Sequence, residues 1–245
     1  MPVSVLLLFT GGFQLYDRIH FGWLLSICLV VSILTRYYRQ ASLSTRLKIR
    51  KSLACIILAM EIVKDLYHVS QGTFSFYYLP LHLCSLAIFI VFWHAFLPTK
   101  TNKEMLYALV FPGALAALIF PEWTTTAIFS YMHNHSFIIH GLLIAYPILL
   151  LATGELVPDW RQLHKVAIAL SITAFPIYFF NKYYDLNFMF LNTPSPGSPL
   201  VLLEQWFGNP GYLIGFAGLI IVVWFVMYAP VSVMKKVLYR KTHVS

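Results

Sequence analysis

At residues 77–86 the chain reads YYLPLHLCSL, and an apolar run continues from there to about residue 97. The imidazole of His82, the thiol of Cys84 and the hydroxyl of Ser85 therefore stand within four positions, shortly after a proline. The sequence around them is typical of a segment that faces lipid. Ionisable groups inside a bilayer are costly, so they usually mark a transport pathway or a reaction centre.

The composition of the whole chain is that of a membrane protein. Hydrophobic residues make up 59% of its 245 residues and charged residues only 11%, whereas charged residues form about a quarter of a soluble domain. The apolar runs are each about 16 to 24 residues long, which suffices to cross the hydrocarbon core as a helix. We therefore predict an all-α membrane protein, in which residues 1–245 form a single polytopic membrane domain, one bundle of seven transmembrane helices. The predicted spans cover about residues 20–36, 53–70, 77–97, 104–121, 135–153, 164–181 and 210–232.

The net charge of +8 is concentrated in alternate connections between these spans. Because basic residues collect on the cytoplasmic side of membrane proteins, this pattern predicts an N-terminus outside and a C-terminus in the cytoplasm. It favours a multi-pass protein of the cell membrane and argues against a nucleic-acid partner. Fourteen of the 17 basic residues lie on the predicted cytoplasmic side, namely Arg36, Arg39, Arg46, Lys48, Arg50, Lys51, Lys100, Lys103, Arg161, Lys165, Lys235, Lys236, Arg240 and Lys241.

The sequence offers little support for a metal or another cofactor, and we expect none. Cys28, Cys55 and Cys84 all fall within predicted spans, and no pair of them has metal-ligand spacing. His133 and His135 lie close together in a predicted outward connection. Without cysteine or carboxylate partners at ligand spacing they are a weak indication of a metal site.

The second predicted span carries four ionisable residues on one face. Glu61, Lys64, Asp65 and His68 are related by offsets of three and four, which places them on one helical stripe. The set can neutralise part of its charge through Glu61–Lys64 and Asp65–His68 contacts. Two interpretations stay open here: a polar clamp between helices, or one wall of a wet cavity that opens to the outside.

A second candidate histidine, His140, lies about five residues inside the fifth predicted span, at roughly the depth of Cys84. A neutral imidazole at that depth suits removal of a proton from a thiol on a neighbouring helix. A histidine that simply hydrogen-bonds to a neighbouring helix fits the sequence equally well. On an ideal helix His82 is about 200° around from Cys84, so spacing alone does not make His82 the base.

Three motifs carry a resemblance to a known family. Residues 79–85 read LPLHLCS, residues 187–191 read NFMFL, and residues 206–210 read WFGNP at the opening of the last predicted span. With them the chain resembles the transmembrane protein 164 family, and most closely its bacterial branch of YwaF-type integral membrane proteins. That branch typically has tyrosine at the position of Phe188 and often lysine at the position of Thr193.

The resemblance implies an enzymatic function. The animal member of the family is described as an acyltransferase that moves a fatty acyl chain onto lysophospholipid with a cysteine and a distant histidine. By this resemblance Cys84 is the expected nucleophile and His140 its partner, acting on phospholipid or lysophospholipid through a thioester in the outer half of the bilayer. The expected supporting residues are His82, Ser85 and Asn187 as oxyanion donors, and Glu61, on the stripe that also holds Asp65, as the acid that orients a histidine.

Two other functions remain open. A proton- or ion-coupled transporter would use Glu61, Asp65, His82 and His140 as a relay, a common use of intramembrane carboxylates and histidines. It predicts that Glu61→Gln abolishes function while Cys84→Ser is tolerated, and an acyltransferase predicts the reverse ranking. Seven spans with an outer N-terminus would also suit a ligand sensor, which the short and featureless cytoplasmic side makes the least favoured of the three.

Overall fold

The computed structural model describes the backbone of residues 11–243 and the side chains of residues 11–231. All regular structure in this described part is helical, without a β-strand, so the predicted all-α class is confirmed. The chain divides into two compact units, of which the first ends at Leu156 and the second begins at Val157. The single polytopic domain over residues 1–245 stays a prediction. The basic side chains of the tail, from Lys235 to Lys241, lie outside the described residues.

Among the residues that the structure describes, the first unit contains six α-helices. They are α1 (Arg18–Gln40), α2 (Leu43–Ser70), α3 (Leu83–Phe96), α4 (Lys100–Met105), α5 (Phe111–Ile119) and α6 (Tyr131–Ala152). A π-helical turn, Leu106–Val110, joins α4 to α5, and in it the Phe111 N–H bonds to the Leu106 carbonyl. Short 3-10 turns, Phe76–Tyr78 and Glu122–Thr125, precede α3 and α6.

Polar caps fix where the long helices begin. Asp17 accepts hydrogen bonds from the second and third N–H groups of α1, and Ser42 and Ser130 do the same for one N–H of α2 and of α6. Such side chains satisfy N–H groups that have no partner within the helix.

Within the described residues, five segments are long and apolar enough to cross a membrane, which makes this a multi-pass membrane protein: Arg18–Gln40, Lys100–Thr125, Tyr131–Ala152, Trp160–Tyr184 and Tyr212–Val231. They coincide with five of the seven predicted spans. The predicted span at 53–70 lies in α2, which has 28 residues but is highly charged. The predicted span at 77–97 contains α3, whose 14 residues extend about 21 Å, less than the hydrocarbon core of about 30 Å. The count of seven spans and their orientation stay predictions.

The helix in the predicted span 77–97 starts later than expected. α3 begins at Leu83, and His82 is its N-cap rather than a helical residue. Pro80 prevents an earlier start at residue 79, because a proline disfavours the helical conformation in the residue before it. Leu79 accordingly has φ −58° and ψ 143°. The chain enters α3 three residues after Pro80, so this proline is not in the first turn of the helix.

α6 is the centre of the first unit, since α1, α2, α3 and α5 all pack against it. Just beyond its end, Glu155 joins the surrounding helices. Its carboxylate accepts hydrogen bonds from the Tyr38 hydroxyl and from Arg50, each at 3.1 Å, and lies 3.7 Å from Arg46. Its backbone carbonyl accepts from the Lys103 ammonium at 2.7 Å. We call this arrangement the Glu155 hub.

The second unit contains α7 (Leu163–Tyr184), α8 (Pro199–Phe207) and α9 (Tyr212–His243). Its segment 185–198 is fixed by side chains that bond to the backbone. The Asn181 amide exchanges two hydrogen bonds with the backbone of Phe188, at 2.9 and 3.0 Å. The Tyr212 hydroxyl donates to the Phe190 carbonyl at 2.6 Å. The segment therefore has a defined conformation, which includes a left-handed backbone at Met189 with φ 57°.

Candidate functional site

The thiol of Cys84 lies at the N-terminal end of α3. Cys84 is the second residue of the helix and Ser85 the third, and both are half-buried. The first intrahelical bond runs from the Leu86 N–H to the His82 carbonyl at 3.0 Å, and the His82 side chain forms no capping hydrogen bond. The N–H groups of the first turn therefore have no partner within the helix, and they favour negative charge beside it.

His82 is placed differently from the sequence expectation. Because it lies before the first turn of α3, the 200° separation from Cys84 that an ideal helix imposes does not apply. Its half-buried ring meets the edge of Tyr77 with centroids 6.1 Å apart. Lys64 of α2 and His140 of α6 lie within electrostatic range of its imidazole. His82 therefore lies close to both α2 and α6.

The tautomer of His140 follows from its hydrogen bond. Its Nδ1 lies 2.6 Å from the carbonyl oxygen of Ser136, one turn earlier in α6. A carbonyl can only accept, so Nδ1 carries the proton and the neutral ring keeps its lone pair on Nε2. The buried ring also stacks on Trp123, with centroids 5.1 Å apart and planes 14° apart. The Nδ1 bond goes to its own helix, not to a neighbouring one, and leaves Nε2 as the basic nitrogen.

Three other buried histidines, one in α1 and two in α6, join helices to one another. Each has a ring nitrogen within hydrogen-bond distance of an atom of a different helix, as in a structural contact. Among the described residues, no group of three or more His, Cys, Asp or Glu side chains is arranged to hold a metal ion. The histidine contacts are His20 with the Leu118 carbonyl at 2.8 Å, His133 with the Trp23 indole N–H at 3.0 Å, and His135 with the Met60 carbonyl at 3.3 Å.

The polar stripe of α2 is present, and its ion pairs all lie on one helix. The Lys64 ammonium is 2.7 Å from Glu61 and 3.2 Å from Asp65. Glu61 and Lys64 are buried, with side chains 7% and 11% exposed. The predicted Glu61–Lys64 contact is therefore confirmed, whereas Asp65 pairs with Lys64 rather than with His68. One lysine between two acids partly neutralises the stripe inside its own helix.

His68 contacts the segment before α3 and does not form the predicted pair with Asp65. Its ring stacks on Tyr78 with centroids 3.6 Å apart, and its Nδ1 is 3.0 Å from the Thr73 hydroxyl. Tyr78 belongs to the turn that leads into α3. His68 therefore helps to hold the approach to the helix that carries the thiol.

The charged groups near Cys84 come from two elements. Glu61 of α2 and Glu122 of the turn before α6 both act electrostatically on the thiol. α2 packs on α3 and on α6, and α3 packs on α6. We use the name thiol site for Glu61, His82, Cys84, Trp123 and His140, in which Glu61 acts on Cys84 and His140 acts on His82. Direct contact between the Cys84 thiol and the His140 ring stays a prediction.

The sequence interpretation missed Trp123, which belongs to the thiol site, and Glu122, which acts on its thiol. The indole nitrogen of Trp123 is buried and, among the described atoms, has no hydrogen-bond partner. In the sequence this tryptophan resembles any aromatic residue at a membrane interface. Its stacking on His140 joins residues 17 positions apart across a loop, and no local pattern indicates that contact.

Asn187 lies in the second unit, and its polar atoms are engaged within its own loop. Its amide nitrogen donates to the Thr193 carbonyl at 3.0 Å and to the Thr193 hydroxyl at 2.8 Å. Its oxygen accepts from the N–H groups of Asn192 and Thr193, each at 3.0 Å. Asn187 therefore organises this loop, and its role as an oxyanion donor stays a prediction, as does that of Ser85.

The model of one protein family, the TMEM164 family, matches residues 15–228. Comparisons with curated proteins and with solved structures found no match to this chain. The matched range includes every residue of the thiol site and the described loop of the second unit.

Proposed function

Because the chain belongs to the TMEM164 family, we propose that it is an integral membrane acyltransferase that moves a fatty acyl chain between membrane lipids. The acyl chain passes through a thioester on Cys84 in the outer half of the bilayer. The protein has seven spans in the cell membrane, with its N-terminus outside and its C-terminus in the cytoplasm. The resemblance carried by residues 79–85, 187–191 and 206–210 is nearest to the bacterial YwaF-type branch, from which the chain departs at Phe188 and Thr193.

The observation that carries this proposal is the position of Cys84 in the first turn of α3. Acyl transfer develops negative charge twice, first on the attacking sulfur and then on the carbonyl oxygen of the tetrahedral intermediate. N–H groups without a helical partner stabilise both charges when they point at the reacting atoms. A helix start of this kind, half-buried in an apolar bundle, suits an ester carbonyl at the depth where phospholipids carry theirs.

In the first half-reaction, Nε2 of His140 takes the proton from the Cys84 thiol as the sulfur attacks the ester carbonyl of the donor lipid. The intermediate collapses with cleavage of the bond between the acyl carbon and the ester oxygen. The leaving oxygen takes the proton from His140. The products are an acyl-thioester on Cys84 and a lysophospholipid.

In the second half-reaction, Nε2 of His140 removes the proton from the hydroxyl of an acceptor lysophospholipid. The hydroxyl oxygen attacks the thioester carbonyl, and the bond between the acyl carbon and sulfur breaks. The sulfur regains its proton from His140, so the enzyme returns to its starting state. Two moderate barriers replace one high barrier, which is the advantage of covalent catalysis.

The neighbours of His140 hold its ring in the tautomer in which Nε2 is the basic nitrogen. The Ser136 carbonyl holds the proton on Nδ1, a role that the sequence analysis predicts for Glu61. The Trp123 ring, stacked on the imidazole, stabilises the cation that forms during proton transfer. Glu61 forms an ion pair with Lys64 and contributes to the electrostatic potential at the Cys84 thiol.

Mass spectrometry of the protein and its lipids tests this proposal. The purified chain is placed in vesicles that contain phospholipid with an isotope-labelled acyl chain and an unlabelled lysophospholipid. We expect labelled acyl chain on the acceptor and an acyl adduct on Cys84 that hydroxylamine removes. Cys84→Ala should lose the adduct and lower transfer at least about a thousandfold, as loss of a nucleophile typically does.

Cys55→Ala is the matched control. Cys55 is an exposed free thiol of α2, so its removal should leave both the adduct and the transfer rate intact. Undiminished transfer by Cys84→Ala would overturn the proposal. So would the absence of both adduct and transfer across vesicles of different donor and acceptor headgroups.

A further inference from the structure

A groove of about 960 Å³ runs along the first unit between α1, α5 and α6. Its long wall is a stripe of α1 that reaches from Leu24 to Arg39 at offsets of three and four. Cys84 and His140 do not line it, so it is separate from the thiol site. Most of its surface is aliphatic, with Leu24, Ile27, Val31, Leu115, Leu118 and Ile144 among the lining residues.

One end of the groove is basic. Arg36 and Arg39 line it there, beside the hydroxyl groups of Ser32 and Thr35. Both arginines are exposed. Within the described side chains, neither guanidinium forms an ion pair, whereas the nearby Arg50 is 3.1 Å from Glu155. Two unneutralised cations at the mouth of an apolar groove form an arrangement that favours an amphiphilic anion.

From this arrangement we propose that the groove binds an anionic phospholipid. The phosphate and the charged headgroup contact Arg36 and Arg39, and one acyl chain lies along the aliphatic wall of α1. Guanidinium groups present parallel N–H donors that match the oxygens of a phosphate. The occupant is a bound lipid and undergoes no reaction in the groove. The proposal depends on the membrane location of the chain and is independent of the chemistry at Cys84.

The dimensions of the groove fit one acyl chain. The 15 helical steps from Leu24 to Arg39 extend about 22 Å along the helix, compared with about 15 Å for half of the hydrocarbon core. The volume lies at the upper end of the range for small-molecule sites. In the proposed orientation the arginine end faces the cytoplasm, where anionic lipids attract basic residues.

Native mass spectrometry of the full chain in nanodiscs tests the charge requirement. The probe lipids are phosphatidylglycerol and phosphatidylcholine with identical acyl chains. We expect the wild-type chain to retain phosphatidylglycerol preferentially, and the double variant Arg36→Gln/Arg39→Gln to weaken that retention at least about tenfold, given the contribution of each basic residue to anionic-lipid attraction.

The matched control is Lys48→Gln/Lys100→Gln, which removes the same charge from the same predicted side. Both lysines are exposed and lie outside the groove, so retention should stay within about twofold of wild type. Equal losses of phosphatidylglycerol retention in the two double variants would mean that only net charge matters, and would contradict a specific lipid site in the groove. Equal retention of the two lipids by the wild-type chain would also overturn it.

A second measurement leaves both arginines in place. Cys28 lines the groove, and Cys55 is an exposed thiol of α2 outside it. A photoreactive maleimide is attached to a chain that retains only one of them. We expect the Cys28 probe to crosslink phosphatidylglycerol in preference to phosphatidylcholine, and the Cys55 probe to crosslink both equally. Crosslinks from Cys28 mainly to a second copy or to another segment of this chain would overturn the proposal.

Discussion

Two carboxylates of the first unit, Glu155 and Glu61, are each paired with basic side chains in opposite ways. Glu155 accepts from side chains of α1 and α2, and its carbonyl accepts from a lysine of α4. Glu61 pairs with Lys64, which lies three residues further along the same helix. The first arrangement joins helices, whereas the second neutralises charge without joining any.

This difference helps to interpret the stripe of α2. A clamp between helices was one of its two possible roles, and the Glu155 hub is an example of such a clamp. The ion pairs of Glu61, Lys64 and Asp65 all stay on α2, so they do not supply that function. The buried Glu61 carboxylate bridges no helices, and its charge acts on the Cys84 thiol.

The largest expected effect is that of His140→Gln, which removes the base of the thiol site. General-base catalysis contributes about 10²–10⁴-fold, so acyl transfer should fall by that factor, and the free energy of unfolding should change little. Vesicle assays of transfer, with thermal unfolding of the same samples, measure both quantities. The matched control is His20→Gln, because His20 bonds α1 to Leu118. It should lower stability and leave the rate per folded molecule unchanged, and the same rate loss in both variants would contradict the assignment.

Next comes Glu155→Gln, which tests the hub. Removing the charge leaves Arg46 and Arg50 without their carboxylate, and we expect a loss of about 2–3 kcal/mol in unfolding free energy. Chemical denaturation in detergent measures it. Activity per folded molecule should not change, since the hub is a structural contact. A loss of transfer rate without a loss of stability would mean that the Glu155 hub acts on the thiol site.

Trp123 tests whether stacking assists proton transfer. Trp123→Ala removes the aromatic face from His140, and we expect a rate loss of about tenfold to thirtyfold, the size of a partly desolvated cation–π contact. Trp123→Phe keeps a ring at that position and should recover most of the rate. Equal losses in the two variants would instead assign the effect to the indole N–H. Initial transfer rates in vesicles distinguish these outcomes.

Glu61→Gln separates the acyltransferase from a proton or ion relay. For the acyltransferase we expect at most about a tenfold loss of transfer, comparable to one hydrogen bond, and a smaller loss than in Cys84→Ser. A relay requires the reverse order. Proton flux into vesicles and acyl transfer are measured on the same two variants. Abolished flux in Glu61→Gln with normal flux in Cys84→Ser would favour transport.

The smallest effect concerns Asp17, an acid that caps α1. Burial opposes its ionisation, but the N–H groups of His20, Gln14 and Ile19 outweigh it, so its pKa lies below the ordinary value of 3.8. Its contribution is therefore complete above that value and is lost as the pH falls through the lower pKa of the folded state. Asp17→Ala should cost about 1 kcal/mol at neutral pH. The difference between the two chains should shrink in acid, and a constant difference across the pH range would contradict the cap.

The sequence allowed prediction of those features that depend on local spacing or composition. Apolar length identified the all-α class and five spans, and a spacing of three residues gave the Glu61–Lys64 pair. The choice of Lys64 over His68 as the partner of Asp65 was not predictable. It depends on the stacking of His68 against Tyr78, which forms only when the turn before α3 is in place.

Contacts across loops were also beyond prediction. The interaction of Trp123 with His140 requires the turn before α6 to fold back onto that helix. The sequence predicts a span from residue 77, but α3 begins only at Leu83. This error has a different reason, because a proline is accepted in the first turn of a helix and equally well ahead of one. Only the backbone at Leu79 decides between these positions. The loop of Asn187, with its reciprocal amide bonds, likewise has no periodic signature.

The π-helical turn at Leu106–Val110 determines how α4 and α5 face their neighbours. A bond that closes over five residues instead of four accommodates one additional residue within a continuous helix. In α4, Lys103 reaches the Glu155 carbonyl, while Leu115 of α5 lines the groove. Deleting one residue of the turn would rotate one half against the other by about 100°. The two contacts could then no longer form together, so this span tolerates substitution far better than a change in length.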